Sequence, residues 1–312
     1  MQSQLSTIAL GVILACASQF AAAQATVTVT QQGNGNTAFA EQFPGSTPAY
    51  MTATITQIGN HNHVGGPGGT TEGIRQLDAN SVYVDVLQNG TGNNAGVTQH
   101  RVGGVPTVDS IAQIGNANTA KLQLQSISDL YSNIDQTGNR NVSDILQVEA
   151  GTGGMRTTQT GNDNRATVFQ RGTAYSGPYV GQNGDGNVAS VFMDGAIFGG
   201  TLIRQTGTQN SVSAVQTDSD ESTILIEQRG AGNQASASLQ GDVSATLDND
   251  SIDIAQDGIG NRAEALLSGV RNVITVGQSG NLNTAIVRQV GEGYVANVSQ
   301  IGNGNWTSIY QH

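Results

Sequence analysis

Apolar and polar residues alternate along most of this chain, and one short polar kernel interrupts the alternation at regular intervals. From Ile134 to Gln147 the order is Ile-Asp-Gln-Thr-Gly-Asn-Arg-Asn-Val-Ser-Asp-Ile-Leu-Gln. Every second residue on either side of Gly138 comes from a restricted set: Ile134 and Gln136 before it, then Asn141, Ser143, Ile145 and Gln147. Period two on both sides of a Gly-containing turn predicts two β-strands, each with one selected face. In turns such as Thr137 to Arg140, Gly supplies backbone freedom and the neighbouring Asn or Asp is expected to tolerate a left-handed conformation.

The kernel Gln-x-Gly-x-x-Asn occurs twelve times. Its glutamines are Gln31, Gln57, Gln88, Gln113, Gln136, Gln159, Gln182, Gln205, Gln228, Gln256, Gln278 and Gln300. Its turn glycines are Gly33, Gly59, Gly90, Gly115, Gly138, Gly161, Gly184, Gly207, Gly230, Gly258, Gly280 and Gly302. Its asparagines are Asn36, Asn62, Asn93, Asn118, Asn141, Asn164, Asn187, Asn210, Asn233, Asn261, Asn283 and Asn305. From Gln113 to Gln228 the step is 23 residues five times running, and the last two steps are 22. Two residues before each Gln stands a β-branched residue, apolar in every copy except at Thr157. Two residues after the Asn stands Ala in eight copies, and six after it seven copies have Gln: Gln42, Gln99, Gln147, Gln170, Gln216, Gln289 and Gln311.

A strand–turn–strand unit of this size cannot bury its face alone, whereas stacked copies can. The predicted fold is therefore all-β: a two-sheet, cross-β solenoid of stacked 22- to 23-residue repeats over residues 24–312. Gln and Asn on the inner face would each cost roughly 1–3 kcal/mol if left unpaired. In an in-register stack each amide can donate to one neighbouring copy and accept from the other, which makes the amides a source of stability and of register. Two irregularities are expected, an insertion at about 65–81 and a longer loop at about 241–250. Leu124, Met193, Leu239 and Leu267 stand where the second-strand Gln is expected.

Composition agrees with an interior held by hydrogen bonds: Gly is 42 of 312 residues and charged residues are 11%. The formal net charge of −11 argues against nucleic acid as a partner. Residues 1–23 read as a secretory signal, with an apolar run from Ile8 to Ala17 and cleavage after Ala21-Ala22-Ala23. Cys16, the single cysteine, falls inside it and is read as lost on cleavage, the alternative being lipidation. His61 and His63 lie at a turn without a third ligand at suitable spacing, so no metal, cofactor or catalytic set is assigned. Asp135, Asp163, Asp185, Asp218, Asp220, Asp242 and Asp257 fall at outward or loop positions, where like charges discourage lateral sticking.

Ile-x-Gln-x-Gly-x-x-Asn-x-Ala-x-x-x-Gln at this step resembles the curlin repeat, over nearly all of residues 25–312. The resemblance implies a subunit of curli, the functional amyloid fibre of Gram-negative bacterial surfaces and biofilms. It also implies secretion through an outer-membrane pore, a periplasmic chaperone, a nucleator subunit and self-polymerisation outside the cell. Open strand edges at uncapped solenoid ends would supply the head-to-tail contact. The alternatives are a monomeric β-solenoid adhesin or anchor, or the fibre nucleator itself; an enzyme is not expected.

Overall fold

Each kernel bends the chain between two strands that do not pair with each other. Gly200–Thr208 leads into the kernel of Gln205, and Ser211–Thr217 trails it. The leading strand pairs with its counterparts Tyr179–Asp185 and Thr223–Ala231, one turn away on either side. The trailing strand pairs with Val188–Asp194 and Gln234–Gln240. These ladders are parallel and in register, with Gln beside Gln and Gly beside Gly in the leading sheet, as in Gln205↔Gln228 and Gly207↔Gly230. The computed structural model describes residues 11–12, 24–44, 50–65, 71–103, 107–128, 131–151, 153–242 and 248–312. Most of the predicted leader, Cys16 included, lies outside these residues. Among the described residues all regular structure is strand.

The chain divides into two units, Met1–Glu149 and Ala150–His312, and each is a two-sheet β-solenoid. In the first, the leading strands from Gln24–Gln32 to Ser132–Asn139 form one sheet and the trailing strands from Thr37–Pro44 to Val142–Val148 form the other. In the second, the leading sheet runs from Met155–Asn162 to Val295–Ile301 and the trailing sheet from Arg165–Arg171 to Trp306–Gln311.

Two features of the turn explain the kernel's spelling. Gly115 adopts φ +117°, and a Cβ there would lie 2.0 Å from the Gly138 carbonyl oxygen of the next turn. Stacking and backbone conformation therefore both demand Gly. The left-handed position is not the Asn or Asp beside the Gly, as the sequence suggests, but the residue just before the ladder Asn: Arg140 at φ 56°, Ala117 at 55° and Leu282 at 56°. That residue swings the backbone so that the next N–H meets the Asn of the turn before; Asn141 N–H donates to Asn118 Oδ1 at 3.0 Å.

The core is thin and apolar at its centre, with amides at its margins. In the turn of Gln205 the inner face carries Thr201, Ile203 and Gln205, then Asn210, Val212, Ala214 and Gln216, all buried. A large β-branched residue on one sheet and a small one on the other fit a separation of roughly 10 Å. Two inner positions carry a hydroxyl where most turns have a methyl: Thr157 Oγ1 and Ser143 Oγ are buried without a partner.

The expected insertion at 65–81 is smaller than its sequence suggests. After His63–Val64 the chain leaves the trailing sheet, but Ile74–Ala79 re-enters it, pairing Gln76 with Gln42 on one side and Gln99 on the other. Ile74 and Gln76 restore the trailing-strand alternation, which is why this stretch resumes the sheet.

Thr157→Val and Ser143→Ala should each raise stability by about 1 kcal/mol, because each removes an unpaired buried hydroxyl at little change of shape. Gly230→Ala, whose Cβ would meet the Gly258 carbonyl oxygen at 2.0 Å, should lower it by about 3 kcal/mol or more. Urea midpoints of the three variants test the set.

Candidate functional site

The amides of the kernel are the groups through which one turn recognises the next. Within each unit the leading Gln donates from Nε2 to Oε1 of the Gln one turn on, at 2.6–3.0 Å, from Gln31 through to Gln136 and from Gln159 through to Gln300. The second Nε2 hydrogen crosses the interior to a backbone carbonyl of the preceding turn's trailing strand. Gln57 reaches Thr37 O at 2.9 Å and Gln205 reaches Val188 O at 3.0 Å. All the leading glutamines from Gln57 to Gln300 are buried, while Gln31 is half-buried.

The Asn row runs with the opposite sense. Asn187 Nδ2 donates back to Asn164 Oδ1 at 3.1 Å, and the Asn187 backbone N–H donates to the same oxygen at 3.0 Å. The other Nδ2 hydrogen goes forward to Gly207 O at 2.9 Å. The same set recurs at Asn93, Asn118, Asn210 and Asn283. Asn36 through Asn283 are buried, and Asn305 is exposed. Neither carboxylate nor hydroxyl could serve here, since each site needs an acceptor and two donors on one side chain.

The second-strand glutamines are not one continuous ladder. Gln42 donates to Gln76 at 2.7 Å, Gln76 to Gln99 at 2.8 Å, and Gln289 to Gln311 at 2.7 Å. Elsewhere these amides turn to the distal arc, the segment joining one turn's trailing strand to the next leading strand. Gln170 donates to Thr173 Oγ1 and Ser176 O. Gln216, stacked between Met193 and Leu239, donates to Ser219 Oγ at 2.9 Å and Ser222 O at 2.8 Å. Gln147 accepts from Ser132 Oγ at 3.0 Å.

The distal arcs have a capping row of their own, unmarked by the kernel. Ser176 Oγ accepts the Gly199 N–H, Ser222 Oγ the Asp250 N–H, Asp250 Oδ1 the Asn272 N–H and Asn272 Oδ1 the Tyr294 N–H. Asn272 Nδ2 also donates to Gly291 O at 2.9 Å, as a ladder Asn would. The spelling Gly269-x-x-Asn272 is the sequence signal for this last arc.

No protein-family model matches the chain, and no curated protein matches it.

The outer surface is cross-linked between turns by ion pairs and ring stacks. Arg204 pairs with Glu227 at 2.9 Å and Arg75 with Glu41 at 2.9 Å, while Arg171 pairs with Asp194 and Arg271 with Glu292. Phe169 stacks on Phe192 and Tyr175 on Phe198, ring centroids 5.1 and 4.7 Å apart. Asp163, Asp185, Asp218, Asp242 and Asp257 are exposed, Asp135 and Asp220 half-buried. Asp109, Asp248 and Asp250 are instead fully buried, which their sequence context does not signal. His61 occupies the left-handed turn position at φ 53°. His63 Nδ1 lies 2.7 Å from Thr37 Oγ1, and burial, then the nearby His61, lowers its pKa. Among the described residues no three His, Cys, Asp or Glu side chains group as metal ligands would.

Replacing Gln205 by Met strands the donor of Gln182, the acceptor of Gln228 and the carbonyl of Val188, and should cost about 3 kcal/mol or more. The same change at Gln216, whose row neighbours are already apolar and whose partners are mostly hydroxyls, should cost about 1–2 kcal/mol. Equal urea midpoints for the two variants would remove the distinction between the rows.

Proposed function

We propose that this chain is the structural subunit of an extracellular, curli-like functional amyloid fibre that serves cell adhesion and the biofilm matrix. The observation that carries the reading is the equivalence of the turns. Each turn is recognised by its neighbour through the same Gln, Asn and Gly groups, in register and parallel, and none of these contacts depends on both turns belonging to one chain. A second copy can therefore be bound by the contacts that hold a copy to itself. Among the described residues, Val295–Ile301 and Trp306–Gln311 each pair with one neighbouring strand, which leaves their other edges open to a further strand. Such edges are templates for another strand, and a head-to-tail contact that does not close generates a filament.

The partners on this reading are further copies of the same chain. A nucleator subunit, an outer-membrane pore and a periplasmic chaperone follow from the curlin resemblance of the repeat. The acidic surface and the turn-to-turn ion pairs suit a fibre whose sides stay apart while its tip grows.

The chain without residues 1–23 should form unbranched, thioflavin-positive fibres whose diffraction shows the strand spacing of about 4.8 Å along the axis. Fragments of these fibres should abolish the lag of fresh protein. A stable, soluble monomer at high concentration, unresponsive to seeds, would overturn the fibre in favour of a monomeric adhesin.

A further inference from the structure

Two acids lie inside the solenoid where neighbouring turns carry neutral side chains, one in each unit. Asp109 occupies the inner row of the leading sheet, beside Val84 of the turn before, and is 0% exposed. Its Oδ1 accepts the Ser132 N–H at 2.8 Å and its Oδ2 the Gln99 amide at 2.5 Å. The inner faces packed around it carry Val86, Val97, Ile111, Leu122, Leu124 and Ile134, all uncharged. Asp109 is thus the terminus of the relay in which Gln42 donates to Gln76, Gln76 to Gln99 and Gln99 to the acid.

Asp250 stands in the distal-arc row between Ser222 and Asn272, 1% exposed. Its Oδ1 accepts the Asn272 N–H at 2.7 Å, but its Oδ2 is buried without a partner. At the next turn Asn272 fills that second place with an NH₂ group, which donates to Gly291 O. A carboxyl can act as that donor only with a proton on Oδ2. The charged groups in the adjoining arcs are Asp218, Asp220, Glu221, Asp242, Asp248 and Arg271; the Asp242 N–H donates to Asp248 Oδ1 at 3.2 Å, and the guanidinium of Arg271 is already paired with Glu292.

We infer that Asp109 and Asp250 are proton-binding sites coupled to folding: each unit takes up a proton as its interior closes, and mild acid favours the folded stack. Burial holds both carboxyls up, from 3.8 to about 7, against the hydrogen bonds from Gln99 and Ser132 at Asp109 and from Asn272 at Asp250, which pull them down; the neighbouring Asp248 adds to the rise at Asp250. Below about pH 4 each acid is protonated both folded and unfolded, and its contribution to stability is fully present. As the pH rises toward about 7, the unfolded chain has lost the proton while the folded one retains it, so stability falls; above about 7 the contribution is gone. Each acid can shift the folding equilibrium by up to about a thousandfold across this window. Faster fibre growth in mild acid follows too, a step that rests on the fibre reading.

The test is urea unfolding of the full chain, followed by circular dichroism at about pH 5, 6, 7 and 8, for the parent, D109N, D250N and the double variant. In the parent the folded-to-unfolded ratio at fixed urea should fall at least tenfold from about pH 5 to about pH 8. The double variant should lose most of that slope, which separates these acids from the general repulsion of an acidic surface. An unchanged slope in the double variant, or stability that rises with pH, would overturn the inference. Should the variants not fold, the infrared carbonyl band of a protonated carboxyl in the parent decides: present at about pH 5 and lost by about pH 8 if the inference holds, absent throughout if not. Unfolding is read whether or not fibres form, whereas a seeding experiment that fails at every pH counts against the fibre alone.

Discussion

A buried carboxamide has two hydrogens to give and one oxygen to fill, and almost everything in this structure follows from satisfying that demand one turn away. In the leading row a buried Gln is satisfied by another Gln about 4.8 Å above it and another below. That requirement sets the register, and the register sets the turn. The turn in turn excludes any side chain at the stacked glycines, because the carbonyl of the next glycine occupies the place of a Cβ. Apolar burial adds stability at the centre, through Ile203, Val212 and their counterparts, but it would accept other registers. The amides do not.

The direction in which the amides point is also fixed. Each leading Gln must aim its NH₂ at a trailing-strand carbonyl, and each ladder Asn must aim its oxygen at a backbone N–H, so neither can be turned over without losing a backbone partner. The Gln row therefore donates up the chain and the Asn row donates down it. Their dipoles run in opposite senses along neighbouring columns, so the two columns offset each other instead of accumulating.

This explains how much could be read from the sequence. The kernel is legible because its side chains bond to their own kind: Gln meets Gln and Asn meets Asn, so each turn must repeat the spelling of the last. Two strands per copy and the inward set follow from period two alone. The distal arcs solve the same capping problem with unlike groups, Ser176, Ser222, Asp250 and Asn272, and a row in which each member differs from the next leaves no repeat to find. Gln76 carries no mark in the sequence because the extra residues after Val64 displace it from its expected distance to Asn62, although it stands in the row between Gln42 and Gln99. Asp109 was hidden by its alternation: it stands at an inward position, and nothing but that position distinguishes it from the aspartates on the surface.

Unequal spacing of the kernels leaves the interior untouched. Gln57 and Gln88 are 31 residues apart and Gln228 and Gln256 are 28, yet both pairs meet at 2.8 Å, as closely as partners 23 residues apart. The surplus is taken up entirely after the ladder Asn and before the next leading strand. One flank of the solenoid is thus bound to a fixed text, while the other can be lengthened without a change of register. The points where the surplus sits are natural places to graft foreign peptides, since the leading Gln row closes at its usual distance across both of them.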